Sequence, residues 1–254
     1  MSARQAPGWR PDGQVDLKKQ VLPRKGRYQW VYLWDWPLRI THWVTAITIV
    51  TLIVTGFYIG GPYFVTRGEA SEHFLMGRVR LVHFSAAGVL VAAAIGRIYG
   101  LFAGNRFERW KALFPVHARD WQHMKEQLRA YFLIRPESAP QYLGHNPLQQ
   151  VSYTLLYLIA IVAMTTGFAL YGESSPSGFF HAVFTHPVSS LLGGIQRVRF
   201  VHHILTWVFM TFVPLHVYLA MRMDLLEQTG TVSSIVSGGR FVNRDVTYAD
   251  GAED

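Results

Sequence analysis

The sequence predicts an all-α, polytopic membrane protein: a bundle of four transmembrane helices with one further helix on the cytoplasmic membrane surface. Three observations carry this. The apolar residues gather into four blocks, each about as long as the roughly 20 residues a membrane helix needs. The basic residues collect in alternate connections between those blocks. Aromatic residues crowd one end of the first block, as they do at a membrane interface.

The blocks run over about 38–60 (LRITHWVTAITIVTLIVTGFYIG), 81–103, 148–171 and 200–223. They make residues 30–226 a membrane domain, flanked by tails at 1–29 and 227–254. Residues 1–29 are polar and basic and carry Pro and Gly. A cleavable signal peptide would place its apolar stretch there instead, so the first block is expected to stay as an uncleaved anchor. Trp30, Tyr32, Trp34, Trp36 and Trp43 form the aromatic belt. The segment from His117 to Ile134 (HARDWQHMKEQLRAYFLI) alternates charged and apolar residues at helical spacing, the pattern of an interfacial helix. No internal repeat and no low-complexity stretch stand out.

Of the 24 lysines and arginines, sixteen fall before the first block, between the second and third, or after the fourth, and Arg39, Arg97 and Arg222 stand in the blocks near those same ends, which makes nineteen on one side. Only Arg67, Arg78, Arg80, Arg197 and Arg199 fall on the other side. The positive-inside rule therefore puts both termini in the cytoplasm of a bacterial inner-membrane protein. The net charge of +8 is accounted for by this membrane surface and calls for no nucleic acid. The chain has no cysteine, which excludes disulfides, thiolate-held iron–sulfur clusters, covalently attached haem and a cysteine nucleophile within it.

The eleven histidines divide by depth. His73, His117, His123, His145, His181 and His186 read as external loop residues. His42, His83, His202 and His216 lie inside the blocks, where an ionisable residue is costly and points to function. His42 near the start of the first block and His216 in the later half of the fourth fall toward the cytoplasmic face. His83 near the start of the second block and His202 near the start of the fourth fall toward the outer face. Two pairs at two depths match two bis-histidine haems, whose iron has no open position and suits electron transfer. His202 and His216 are 14 residues apart, two heptads, which keeps both on one seam with about 21 Å between them. Gly56, 14 residues after His42, would let the outer macrocycle approach the first helix. His203 is the alternative outer ligand, about 100° round the helix from His202; the seam favours His202.

Four stretches carry a resemblance: WDWPLRITHW; MGRVRLVHF followed by GNRFERWKALFP; YLGHNPLQQVSY; and VRFVHHILTWVFMTFVPLHVYLAMRMD. Across about residues 30–226 the chain resembles the b-type cytochrome subunit of membrane-bound nickel–iron hydrogenases. The cytochrome b subunits of formate dehydrogenases and thiosulfate or polysulfide reductases share the wider architecture. A haem-free membrane anchor is the alternative of another class. The resemblance implies two haems b, with His83 and His202 holding the haem nearer the electron source and His42 and His216 the haem nearer the cytoplasm. It implies a hetero-oligomer in the lipid bilayer. An iron–sulfur small subunit with one C-terminal membrane helix docks outside, and a nickel–iron large subunit, not this chain, activates hydrogen. Membrane quinone is the implied acceptor, near the inner haem. There the GHNPLQQ loop offers His145 for proton exchange and Asn146 for a hydrogen bond. Asn146 followed by Pro147 is equally an ordinary helix cap. Arg97 could pair a haem propionate or snorkel to headgroups.

A reporter fused after Asp254 is expected to be active only in a form that works in the cytoplasm; periplasmic activity there would overturn the orientation or the helix number.

Overall fold

The computed structural model describes residues 28–64, 74–116, 118–133 and 140–250. Four long helices dominate: α1 (Trp36–Gly60), α2 (Leu75–Ala103), α5 (Pro147–Gly172) and α7 (Ile195–Glu227). All four are long and apolar enough to cross a membrane, which fits a multi-pass membrane protein. Ile47, Val54, Leu81 and Ile95 are exposed and take no part in lining the interior cavity. Such an apolar shell is a liability in water and a match for hydrocarbon, where each helix satisfies its own backbone.

Between these spans lie α3 (Trp110–Leu113) and α4 (Ala118–Leu133), then a π-helical turn (His181–Thr185) that runs into α6 (His186–Leu192). After α7 come α8 (Thr231–Ser237) and strand β2 (Gly239–Asn243), which pairs antiparallel with β1 (Tyr28–Tyr32). Helix boundaries follow local chemistry. Pro37 sits in the first turn of α1, and Asn146 and Pro147 start α5. Gly193 and Gly194, both at positive φ, turn the chain into α7.

Within the spans α1 packs against α2, and α5 against α7, while α7 also meets α1. Few apolar side chains there are buried: Ala93, Ala169, Val198 and Phe209. The tight apolar core lies instead at the end of the bundle where the termini meet. Leu33, Phe107, Leu143 and Val242 bury one another, with Val31, Trp34 and Tyr248 packed around them.

Each of those four residues comes from a different segment, and polar bonds stitch the segments together. The Leu33 and Trp34 N–H groups donate to the Gly238 carbonyl at 2.8 and 2.9 Å. Asn105 Nδ2 donates to the Leu33 carbonyl at 2.9 Å. The Asp250 carboxylate accepts from the Leu143 and Gly144 N–H groups at 2.6 and 2.7 Å. Arg240 pairs with Glu227 at 3.2 Å. Gly238 is held at φ +93°, and a Cβ there would lie 2.5 Å from the Tyr32 ring, so only glycine fits. This cap joins the start of α1, the end of α2, the start of α5 and the end of α7.

The four expected spans are present, each longer than the sequence reading by a residue or more at one end or both. Three features differ from that reading. A two-stranded sheet joins the boundary between the expected N-terminal tail and membrane domain to the expected C-terminal tail, in a chain read as all-α. Its strands contain Trp30 and Tyr32, two of the aromatics assigned to the belt, and Trp30 packs edge-on against Phe241 at 5.2 Å. His181 and His186 stand in helical turns rather than a loop, because Thr185 Oγ1 donates to the Ala169 carbonyl at 2.7 Å and folds that segment against α5. His123 stands on α4, within the segment read as helical, and bonds Tyr142 at 2.6 Å. His73 and His117 lie outside the described residues.

Candidate functional site

One cavity of about 2240 Å³ lies within the bundle, lined by His42, His83, His202 and His216 among others. Ordinary small-molecule pockets measure about 300–1000 Å³, so this one suits something larger or more than one group. Arg80 and Arg199 line one end and Arg97 and Arg240 the other. Cations at both ends suit a ligand that carries carboxylates. Among the described residues no group of three or more metal-ligating side chains occurs.

His42 from α1 faces His216 from α7, with ring centroids 6.4 Å apart and planes at 50°. Two imidazoles on opposite sides of one metal, with bonds of about 2.0 Å, would place their centroids about 6.3 Å apart. Rotation of the rings about that common axis leaves the distance unchanged. Phe212, one turn before His216, stacks on its ring at 5.5 Å and 15°. His42 Nδ1 is buried without a hydrogen-bond partner among the described residues.

His83 from α2 and His202 from α7 line the same cavity. They are seated by matching elements. Thr55 Oγ1 lies 2.8 Å from His83 Nδ1, and Thr166 Oγ1 lies 3.0 Å from His202 Nδ1. Each threonine also donates one turn back along its own helix, Thr55 to the Thr51 carbonyl at 2.6 Å and Thr166 to the Val162 carbonyl at 2.8 Å. A hydroxyl has one hydrogen, so its oxygen accepts from Nδ1–H and leaves Nε2 bare. The next residue in each case is glycine. A Cβ on Gly56 would stand 3.4 Å from His83 Cε1, and one on Gly167 would stand 3.2 Å from His202 Cε1.

His203 also lies against a glycine, since a Cβ on Gly60 would stand 3.6 Å from its Cε1, but among the described residues no threonine hydroxyl bonds its ring. The ring lies edge-on to Phe57 at 5.5 Å, and Trp207 Nε1 donates to its Nε2 at 3.4 Å. The sequence reading missed Thr55, Thr166 and Gly167. A signal was there: the tripeptide Thr-Gly-Phe occurs at 55–57 and again at 166–168.

Asn146 is a helix cap. Its side chain accepts from the Gln149 N–H at 2.9 Å, and the Gln149 side chain accepts from the Asn146 N–H at 3.0 Å. His145 is half-buried rather than external, held between Trp34 at 4.9 Å and Tyr153 at 5.1 Å, with Nδ1 buried and unpartnered. Both residues line the cavity that holds the histidine pairs. Arg97 donates to the Glu108 carbonyl and, at 3.2 Å, to Tyr157 Oη, which ties α2 to α5. Glu108 is buried, and its carboxylate accepts from the Asp35 N–H at 2.5 Å. Burial raises its pKa, opposed by that bond and by Arg97 and Arg39.

The family profile for prokaryotic cytochrome b561 matches residues 33–238. The chain is 39% identical over 237 residues to a probable Ni/Fe-hydrogenase B-type cytochrome subunit of Azotobacter chroococcum, covering 92% of this chain and 95% of that one. It is 40% identical over 211 residues to the corresponding subunit of Cupriavidus necator, covering 82% and 86%. It is 36% identical over 214 residues to the probable Ni/Fe-hydrogenase 1 B-type cytochrome subunit of Escherichia coli K12, covering 82% and 90%.

Burial of His145, and next the charge of Arg97, push its pKa down to about 3. In the unfolded chain it titrates near pH 6.5. Between those values the unfolded state holds more protons, so stability rises with pH there and falls on acidification. The melting temperature of the purified protein in detergent is expected to drop further between pH 7 and pH 5 for the wild type than for His145→Gln. Equal drops would rule out a buried neutral His145.

Proposed function

Because the chain belongs to the prokaryotic cytochrome b561 family, we propose that it is the membrane electron-transfer subunit of a nickel–iron hydrogenase, holding two haems b and delivering electrons to quinone. The family implies b-type haem. The second pair of membrane histidines, His83 and His202, each bonded to a threonine and lining the same cavity, is the observation that supports two. When bound, each haem supplies a one-electron site whose iron has both axial positions filled.

His42 and His216 hold one iron, and the 6.4 Å facing of their rings supports this. His83 and His202 hold the other, with Nε2 freed by the threonine contacts. Of the arginines at the cavity ends, Arg80 and Arg199 pair with propionate carboxylates, while Arg97 and Arg240 already bond Glu108, Tyr157 and Glu227. The cap faces the cytoplasm of a bacterial inner membrane, in keeping with the basic residues that collect there, and α4 lies along that surface. The iron–sulfur small subunit and its nickel–iron partner stand on the opposite face and supply electrons. The cysteine-free sequence supports that division of labour.

Quinone takes two electrons and two protons beside His145, which lines the same cavity as the inner histidine pair. The imidazole hydrogen-bonds a quinone oxygen and passes a proton from the cytoplasmic side. The Asn146 amide N–H groups are donors that its capping oxygen leaves free.

Pyridine haemochrome analysis of the isolated protein is expected to give about two haems b per chain. His202→Ala should leave about one, and His203→Ala about two. Loss of haem from His203→Ala with retention in His202→Ala would exchange their roles.

For quinone, the informative variant is His145→Gln with Asn146→Ser, because serine keeps the cap. With the hydrogenase subunits bound, hydrogen should still reduce both haems, and a soluble dye should be reduced at the normal rate. Quinone reduction should slow by about tenfold or more. A normal quinone rate would place quinone elsewhere.

A further inference from the structure

The described chain contains several membrane threonines that donate back along their own helices, and this alone is ordinary. Thr41, Thr51, Thr165, Thr206 and Thr211 do so. Thr55 and Thr166 do so as well, and each also meets the Nδ1 of an intramembrane histidine. They stand on different helices, α1 and α5, and reach the two members of one pair. The glycine that follows each lets the imidazole lie close to the helix, so the Thr-Gly unit acts as a seat.

The other pair is built differently. His42 Nδ1 is buried with no acceptor among the described residues. His216 is oriented by stacking on Phe212. Ring stacking fixes a plane, but it draws no density from an N–H.

We propose that Thr55 and Thr166 are positioning residues that give the His83/His202 iron the lower reduction potential of the two. The proposal rests on the two-haem reading above. An imidazole whose Nδ1–H is hydrogen-bonded is a more basic ligand. A more basic ligand stabilises ferric over ferrous iron, and hence lowers the potential. The low-dielectric interior strengthens that polarisation. Both ligands of one iron receive it, and His42 of the other does not. Electron transfer from the first pair to the second is thereby downhill.

The test uses the full complex in membranes, with optical redox titration and haem content measured together. Thr55→Val removes the hydroxyl at similar volume. Two haems should remain. One midpoint should rise by the equivalent of about a tenfold change in the oxidised-to-reduced ratio, about 59 mV for one electron. The second midpoint should stay in place. Thr166→Val should move the same midpoint in the same direction, and Thr55→Ser should restore the wild-type value. Thr51→Val, one turn away and touching no histidine, should shift neither.

Two haems with both midpoints unmoved in Thr55→Val and Thr166→Val overturns the proposal. Equal movement of both midpoints does the same. If Thr55→Val loses a haem, Thr55→Ser decides. Retention at the wild-type potential supports the hydroxyl's role, and loss there too makes the position a packing site and overturns it. A wild-type complex with fewer than two haems sinks the two-haem reading itself, and this proposal with it.

Discussion

An imidazole placed among hydrocarbon tails has lost its water and must find partners within the protein. This chain places four of them in its membrane helices, and the bundle is arranged around that demand. The spans pack in pairs, α1 with α2 and α5 with α7, and the cavity between them is lined by the four rings. At one end of the bundle Leu33, Phe107, Leu143 and Val242 bury one another in a core of the kind found in soluble proteins, made within the chain itself.

The spans were legible because lipid leaves a helix little choice: about 20 apolar residues in a row have few other fates. The pairing of histidines by depth was legible for a related reason. Helix rise converts sequence position directly into depth, so His42 and His216 could be matched without knowing the packing. The cap was not legible. β1 and β2 are about 200 residues apart, five residues each, and neither repeats a pattern that marks a partner. Their pairing depends on where the helix ends arrive, which is a property of the whole bundle. The helical turns at His181 and His186 were missed likewise, since a hydrogen bond from Thr185 to α5 holds them there.

The choice between His202 and His203 shows where spacing stops and chemistry begins. Both stand near the same depth. What separates them is a hydroxyl on another helix: Thr166 accepts from one ring, while Trp207 donates to the other. Heptad spacing puts His202 on the seam of His216, and the hydrogen bonds set the two rings apart electronically. Asn146 teaches the reverse lesson. Its ordinary reading as a cap is fulfilled by a reciprocal pair of bonds with Gln149, and any further role must use the donors that remain.

The strand pair also sets an order on synthesis. Tyr32 leaves the ribosome early, and its partner Gly239 follows about 200 residues later. At roughly 5–20 residues per second, that is on the order of 10–40 s. Val242 completes the buried cluster, and Asp250 secures the Leu143–Gly144 backbone after it. The cap therefore cannot close until all four helices have been made, and until then only the connection from α2 to α5 joins helices at that end of the bundle.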